Sequence, residues 1–119
     1  MWKRPYLRIL YVDSDRQRRM LVLAAFRKDR PSDEVFVSST LPLAKAKLIT
    51  ESPFDVVICA SSIDDKRSGD GLLFAKSLHD DGQRVITLTP GSKGLPGIPT
   101  VSVNSPTMCE ELMALIIQV

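Results

Sequence analysis

Five short runs of apolar and β-branched residues recur along this chain, and they constrain its fold more than any other feature. Segments with apolar residues at helical spacing follow the first three runs and the last one. A regular alternation of strands and helices implies parallel strands joined by right-handed crossovers. We therefore predict an α/β domain in which helices cover a five-stranded parallel sheet. The predicted strands are residues 7–12, 34–38, 54–60, 84–89 and 100–103.

Helix-start and helix-stop signals bound the predicted helices. The Asp-Ser-Asp run at 13–15 suits the cap of the first helix, Thr40 suits the second, and Ser105 followed by Pro106 is a start signal for the last. Residues 90–99, between the fourth and fifth strands, hold three Pro and three Gly, which a helix does not tolerate. A loop is therefore predicted where strict alternation would place a further helix. The predicted helices are residues 16–30, 40–51, 71–79 and 110–118.

Length and composition bound the class of protein. The 119 residues, 44% apolar and 25% charged, fit one domain with one core. No apolar run is long enough to cross a bilayer and no signal peptide is present, so we expect a cytoplasmic protein.

Cys59 and Cys109 lie in apolar segments without a metal-binding pattern, so we expect buried, reduced thiols, no metal and no cofactor. The net charge of +2 and the aromatic spacing do not favour nucleic acid. The sequence leaves open whether residues 1–119 are a whole protein or the first part of a longer one.

Several short motifs stand at the ends of the predicted strands in a specific order. They are ILYVD at 9–13, PFDVVICA at 53–60, DGL at 70–72, VITLT at 85–89 and Ser-Pro at 105–106. In this order and spacing, over nearly the whole chain, they resemble the receiver domain of response regulators. The resemblance implies a flavodoxin-like three-layer sandwich with strand order 2-1-3-4-5. It also implies a place in two-component signal transduction or a phosphorelay, with Mg²⁺ and a phosphorylated aspartate at the carboxyl edge of the sheet.

The functional positions diverge from that family pattern. Asp13 keeps the first acid of the metal-binding pair, but Ser14 replaces the second. Ala60 stands at the phosphoacceptor position, Thr89 keeps the switch threonine, and Ser105 replaces the lysine that contacts the phosphoryl group. An acyl phosphate requires a carboxylate nucleophile, and Mg²⁺ prefers carboxylate oxygens in a near-octahedral shell. We therefore predict a degenerate site that takes up no phosphoryl group, in a domain that is not an enzyme.

The remaining titratable residues favour structural explanations over chemistry. Asp64 and Asp65 are expected in a solvated loop, Asp15 at a helix cap, and His79 at an exposed helix end far from the carboxyl edge. The N-terminal third is basic, which predicts a solvated face. The more specific alternative is a surface that binds an acidic partner or a phosphate-bearing ligand. The basic residues considered for this surface are Lys3, Arg4, Arg8, Arg16, Arg18 and Arg19.

The loop at 90–99 alters the face that receiver domains use for partners and sister subunits. A Pro-rich loop loses less conformational entropy on binding than a flexible one. We expect it to expose Leu95 and Ile98 beside Thr100 as a constitutive surface for a protein partner or a homodimer. The alternative is a loop that only covers the sheet edge.

The leading interpretation is a pseudo-receiver, a phosphorylation-independent interaction or regulatory module that acts on an attached output domain or on a separate protein. One alternative is an unconventional phosphoacceptor. The other is a small-ligand sensor that uses the altered pocket, which is built from Asp13, Ser14, Ala60 and Ser105.

Overall fold

In a computed structural model, which describes residues 6–64, 69–91 and 94–119, strands and helices alternate along the chain apart from the connection between the last two strands. In chain order the elements are β1 (Arg8–Val12), α1 (Arg16–Asp29), β2 (Glu34–Ser38), α2 (Leu41–Glu51), β3 (Val56–Ala60), α3 (Asp70–Asp80), β4 (Val85–Thr89), β5 (Thr100–Ser102) and α4 (Met108–Ile117). The strands form one parallel sheet in the order β2-β1-β3-β4-β5. The predicted fold class and strand order are therefore confirmed.

Two apolar layers sandwich the sheet, because alternate residues of each strand point to opposite faces. Ile9 and Tyr11 of β1 pack into the layer beneath α1 and α4, which includes Phe26 and Leu112. Leu10 and Val12 pack into the opposite layer, beneath α2 and α3. The central strands β3 and β4 are buried along their whole length. For β3, the nearly continuous apolar sequence predicts a strand covered on both faces. No helix among the described residues is long and apolar enough to cross a membrane.

The predicted caps bound the first two helices. The Asp15 side chain accepts a hydrogen bond from the backbone N–H of Arg18 at 2.9 Å, and Thr40 does the same for Leu43 at 3.3 Å. The last helix differs from the prediction, since it begins at Met108 rather than at residue 106 or 110. Residues just before it form a separate turn, described with the site below.

The loop between β4 and β5 contains no helix in its described residues, 90–91 and 94–99, as predicted. Its expected exposure is wrong, however. Ile98 is only 6% exposed and lies in the layer beneath α2 and α3, and Leu95 packs against the same layer. The Thr100 hydroxyl is bonded to the Thr87 hydroxyl at 2.9 Å across β4 and β5. The loop follows the alternative course, covering the sheet where a helix would otherwise lie, because its apolar side chains gain more from burial than from contact with water.

Candidate functional site

The predicted site positions come together at the carboxyl edge of the sheet. Val12 pairs with Cys59 and Ala60 pairs with Leu88, so Asp13, Ala60 and Thr89 follow one another across the ends of β1, β3 and β4. Ser14 continues from Asp13, and Ser105 lies three residues beyond β5. The parallel topology thus gathers all five positions at the edge where open α/β sheets bind ligands.

Asp13 is fully buried, and its carboxylate is saturated with hydrogen bonds. Arg18 donates to both oxygens, from Nε to Oδ2 at 2.6 Å and from Nη2 to Oδ1 at 2.9 Å. The Tyr11 hydroxyl donates to Oδ2 at 2.7 Å, and the backbone N–H of Asp15 donates to Oδ1 at 3.0 Å. Two carboxylate oxygens offer about four acceptor sites, and all four are used here.

Arg18 reaches Asp13 because α1 begins immediately after β1. The Asp15 cap fixes the first turn of the helix, and Arg18 in that turn extends back over the strand end. Its guanidinium fork matches the geometry of a carboxylate, which makes the pair bidentate. Burial lowers the pKa of Arg18, but the hydrogen bond and the charge of Asp13 outweigh it and raise the pKa overall. Burial, together with the charge and hydrogen bond of Asp13, raises the pKa of the Tyr11 hydroxyl, which therefore stays protonated as a donor.

The residues at this edge do not fit a Mg²⁺ ion. Mg²⁺ takes oxygen ligands at 2.0–2.1 Å in a near-octahedral shell, usually with one or two carboxylates. Asp13 already holds a cation on both oxygens, and Ser14 supplies no second carboxylate. No group of three or more His, Cys, Asp or Glu side chains in the described part of the chain could hold a metal ion. The guanidinium of Arg18 therefore supplies the positive charge that neutralises this buried acid.

Ala60 closes the end of β3 against the start of α3. A Cβ placed on Gly71 would lie 1.8 Å from the Ala60 carbonyl oxygen, so only glycine lets the helix approach this closely. The Asp-Gly-Leu motif thus has a packing explanation. The thiol of Cys59 lies in the same contact, 3.4 Å from the Gly71 carbonyl oxygen. Burial, with a smaller contribution from Asp13 and Asp70, raises the pKa of this thiol to about 12, so the thiol is unreactive at neutral pH.

Thr89 and Ser105 are both engaged within their own loops. The buried Thr89 hydroxyl donates to the Gly91 carbonyl, and the Asn104 amide donates to the Pro90 carbonyl. The Ser105 hydroxyl accepts from the backbone N–H of Thr107 at 3.2 Å and donates to the Glu111 carboxylate. Hydrogen bonds from Ser105 and Thr107 lower the pKa of Glu111. Ser105 therefore acts as the structural residue of a turn before α4.

A small cleft of about 280 Å³ opens beside these residues. Of the four residues predicted to form a ligand pocket, only Ser14 lines it. Asp13 and Ala60 are buried beneath it, and Ser105 faces the last helix instead. The lining residues are Ser14, Asp15, Arg18, Ser61, Ser62, Leu88, Pro90 and Val103.

Arg8, Arg18 and Arg19, three of the basic residues considered for a binding surface, do not share one surface. Arg8 lies at the opposite edge of the sheet, where it pairs with Glu34 at 3.3 Å and its guanidinium lies over the Phe36 ring. Arg18 and Arg19 are turned inward, onto the side chain and the backbone carbonyl of Asp13. Lys3 and Arg4 lie outside the described residues, as does Asp65.

The other predicted positions are structural. Asp64 is exposed and its carboxylate accepts from the backbone N–H of Leu41, at the start of α2. His79 is exposed near the end of α3, as predicted. Sequence reasoning missed the role of Arg18, which it grouped with the solvated basic residues. The available signal was its position in the first turn after a buried acid, within reach of that acid.

Neither a protein-family model nor a curated protein sequence matches this chain. Solved structures do match it. The receiver domain of the Francisella response regulator 1452 is similar with a TM-score of 0.70 and 16% identity, over 94% of each chain. The Vibrio cholerae chemotaxis protein CheY4 is similar with a TM-score of 0.71 and 20% identity, over 96% of this chain and 98% of that one. RcsB from Salmonella enterica, solved on promoter DNA in the presence of a phosphomimetic, gives a TM-score of 0.70 and 16% identity, over 92% of this chain and 67% of that one.

The fold is that of a response-regulator receiver domain. At these identities the similarity establishes the architecture alone. The chemistry possible at the carboxyl edge of the sheet has to be argued from the residues of this chain. In this receiver fold the edge presents a saturated carboxylate at Asp13, a methyl group at Ala60 and a threonine hydroxyl at Thr89 that is bonded to its own loop.

Proposed function

We propose that this chain is a pseudo-receiver, which regulates a protein partner by docking and is neither phosphorylated nor enzymatic. The observation that carries the proposal is Ala60 at the end of β3. Its methyl side chain has no heteroatom, whereas an acyl phosphate needs a carboxylate oxygen as its nucleophile. The position that would receive the phosphoryl group therefore has no atom to bond it.

The state of Asp13 supports the same proposal. A receiver that takes up a phosphoryl group with Mg²⁺ needs free carboxylate oxygens, and both oxygens of Asp13 are bound by Arg18. A metal ion would have to displace a guanidinium held in a bidentate, largely dehydrated contact. The charge balance of the site is therefore complete without an ion.

The hydroxyls that remain are a third line of support. A threonine that responds to a phosphoryl group must turn toward it, and Thr89 is bonded to the Gly91 carbonyl instead. Ser105 carries no positive charge to offset a phosphoryl group, and its hydroxyl is bonded to Glu111. Signalling by this domain would therefore depend on its surface rather than on a chemical change at the edge.

The test is to expose the full chain to acetyl phosphate with Mg²⁺ and to measure its intact mass. We expect no phosphoryl adduct and no Mg²⁺-dependent spectral change with beryllofluoride. A receiver domain that is readily phosphorylated, treated in parallel, controls for the reagents. An adduct that disappears in Asp15→Asn or Asp64→Asn, together with a change of shape, would contradict the proposal and favour an unconventional phosphoacceptor.

A small-ligand sensor is the second candidate, because of the cleft beside Ser14 and Arg18. Its volume of about 280 Å³ lies just below the range of about 300–1,000 Å³ that is typical of ligand pockets. Thermal unfolding in the presence of inorganic phosphate and small carboxylic acids tests it, since a ligand that binds the native state raises the midpoint. A rise that is lost in Ser61→Leu, which fills the cleft, would favour the sensor over the docking module.

A further inference from the structure

A second cleft, of about 430 Å³, opens at the amino edge of the sheet, where the strands begin. Its walls come from the end of α3, the start of β4, the loop before β5 and the end of α4. Its volume lies within the range of about 300–1,000 Å³ that is typical of ligand pockets. We call it the amino-edge cleft, and it is the roomier of the two clefts at the ends of the sheet.

The inner part of the amino-edge cleft is apolar. Val85 and Ile86, the first two residues of β4, are each 2% exposed and lie at its base. Leu115 of α4 and Pro99 of the loop lie at its sides. An apolar group that enters such a space is removed from water together with the surface that it covers, which favours binding. The cleft therefore suits a ligand with an apolar body.

An arginine with unused donors lies at the mouth of the cleft. Arg84 is exposed, and its Nη1 donates to the Gln118 carbonyl oxygen at 3.2 Å, from the start of β4 to the end of α4. The guanidinium makes no other hydrogen bond and no ion pair within the described part of the chain. A guanidinium carries several N–H donors in a fixed fork, so most of those on Arg84 are available to a ligand.

The charges around the cleft favour an anion. No acidic side chain among the described residues lines it. The ends of α3 and α4 carry partial negative charge, but their last carbonyl groups are bonded within the chain. The Leu78 carbonyl accepts from the backbone N–H of Gln83 at 2.9 Å, and the Leu115 carbonyl accepts from that of Gln118 at 3.1 Å. The positive charge of Arg84 is therefore left for a ligand to balance.

The loop between β4 and β5 closes one side of the cleft. Gly97 in that loop has φ +79°, a conformation that favours glycine, and a Cβ placed on it would lie 3.5 Å from the Nε2 of His79 on α3. The His79 side chain makes no hydrogen bond within the described residues, so its ring nitrogens are available to a ligand. The cleft thus depends on the loop that stands where strict alternation would place a helix.

We propose that the amino-edge cleft binds a small carboxylic acid with an aromatic or branched apolar body. The carboxylate accepts hydrogen bonds from the free donors of Arg84, whose fork matches the two oxygens of a carboxylate. The apolar body lies against Val85, Ile86 and Leu115. His79, on the opposite wall, donates a further hydrogen bond to the carboxylate or contacts the body through its ring.

The test is NMR titration of the isotope-labelled full chain with naphthoate, and separately with naphthamide, a neutral analogue of the same shape. We expect amide shifts at Gly82, Gly97 and Val119, which line the cleft. Naphthoate should bind about tenfold more tightly than naphthamide, because a charge-assisted hydrogen bond is stronger than a neutral one. Arg84→Gln should abolish this preference, so that the two compounds bind with equal affinity.

Two control variants should keep the preference for naphthoate. Arg27→Gln removes another exposed arginine without an ion pair in the described structure, from a groove between α1 and β2. Ser61→Leu fills the cleft at the carboxyl edge, which Ser61 lines. Circular dichroism of each variant checks that the fold is kept.

The proposal is overturned if millimolar naphthoate shifts no amide of the amino-edge cleft. It is overturned equally if Arg84→Gln keeps the preference for naphthoate, if Arg27→Gln loses it to the same extent, or if the shifts cluster around Ser14 and Ser61. The inference goes beyond the proposed function and does not rest on it, because this cleft and Ala60 lie at opposite edges of the sheet. The titration reports reversible binding and the phosphorylation assay reports covalent change, so either proposal can fail without the other.

Discussion

Replacing Arg18 by methionine should destabilise the domain by about 3 kcal/mol. Asp13 is 0% exposed, and the substitution removes two of the four hydrogen-bond donors to its carboxylate and the only cation bonded to that carboxylate within the described structure. Removing one partner of a buried ion pair costs about 3–5 kcal/mol, because the other charge is left buried and uncompensated. The low end applies here, since the Arg18 side chain is 21% exposed and water can enter where it stood. A loss of this size is a large fraction of the ordinary stability of a domain, which is about 5–15 kcal/mol.

Urea unfolding, followed by circular dichroism, measures this loss as a shift of the midpoint at unchanged slope. Arg19→Met is the matched control. Arg19 is the adjacent residue of the same type, but among the described residues it donates only to the Asp13 backbone carbonyl, at 2.9 Å. Losing that one hydrogen bond should cost about 1 kcal/mol.

A double-mutant cycle with Asp13→Asn isolates the pair itself. The amide removes the charge that Arg18 compensates, so the Arg18→Met substitution should cost about 2 kcal/mol less in the Asp13→Asn background. The reasoning is refuted if Arg18→Met costs no more than Arg19→Met. It is refuted equally if the two substitutions simply add.

Three further substitutions test the packing of buried residues. Gly71→Ala should destabilise the fold by about 3 kcal/mol or more, because its Cβ would lie 1.8 Å from the Ala60 carbonyl oxygen, whereas Gly91→Ala, with nothing within 4 Å, should shift the thermal midpoint little. Burial raises the pKa of the Cys59 thiol from 9.0 to about 12. The contribution of the neutral thiol to the free energy of unfolding is therefore fully present below pH 9 and is lost as the pH rises toward 12. The free energies of unfolding in urea at pH 8 and pH 10 should therefore differ by about 1 kcal/mol more in the unsubstituted chain than in Cys59→Ala, and equal differences would contradict the burial of this thiol. Ile98→Ala should cost about 2–4 kcal/mol, since the side chain lies in the core, and an unchanged midpoint would show that the loop is free.

The fold could be predicted because its signals are local. The strands are recognisable as runs of β-branched and apolar residues. Asp15 and Thr40 mark helix starts because their side chains accept hydrogen bonds from backbone N–H groups three residues later. Once strands and helices alternate, the right-handedness of the crossover connections leaves few possible sheet topologies. The start of α4 was less well predicted, because Ser105 and Pro106 begin a separate turn that precedes the helix.

The sequence predicted which residues lie at the candidate site, but it did not predict the hydrogen bonds that they make. Which residues reach the carboxyl edge follows from the strand ends, so Asp13, Ala60 and Thr89 were placed correctly. The position of Arg18 in the first turn of α1 makes a bond to Asp13 possible, but whether the bond forms depends on the direction of a long side chain, which that position alone does not fix. The course of the loop at Ile98 likewise depends on whether the space beneath it is filled by a helix, and sequence spacing does not report that.

The network around Asp13 has a consequence for the order of folding events. Within the described part of the chain, the donors to the Asp13 carboxylate all lie between residues 11 and 18, so none is more than five positions from the acid. Closing so short a segment carries little chain entropy, and contacts of low sequence separation can form early. The corner between β1 and α1 can therefore assemble before distant strands meet, as a local nucleus onto which the rest of the sheet is added.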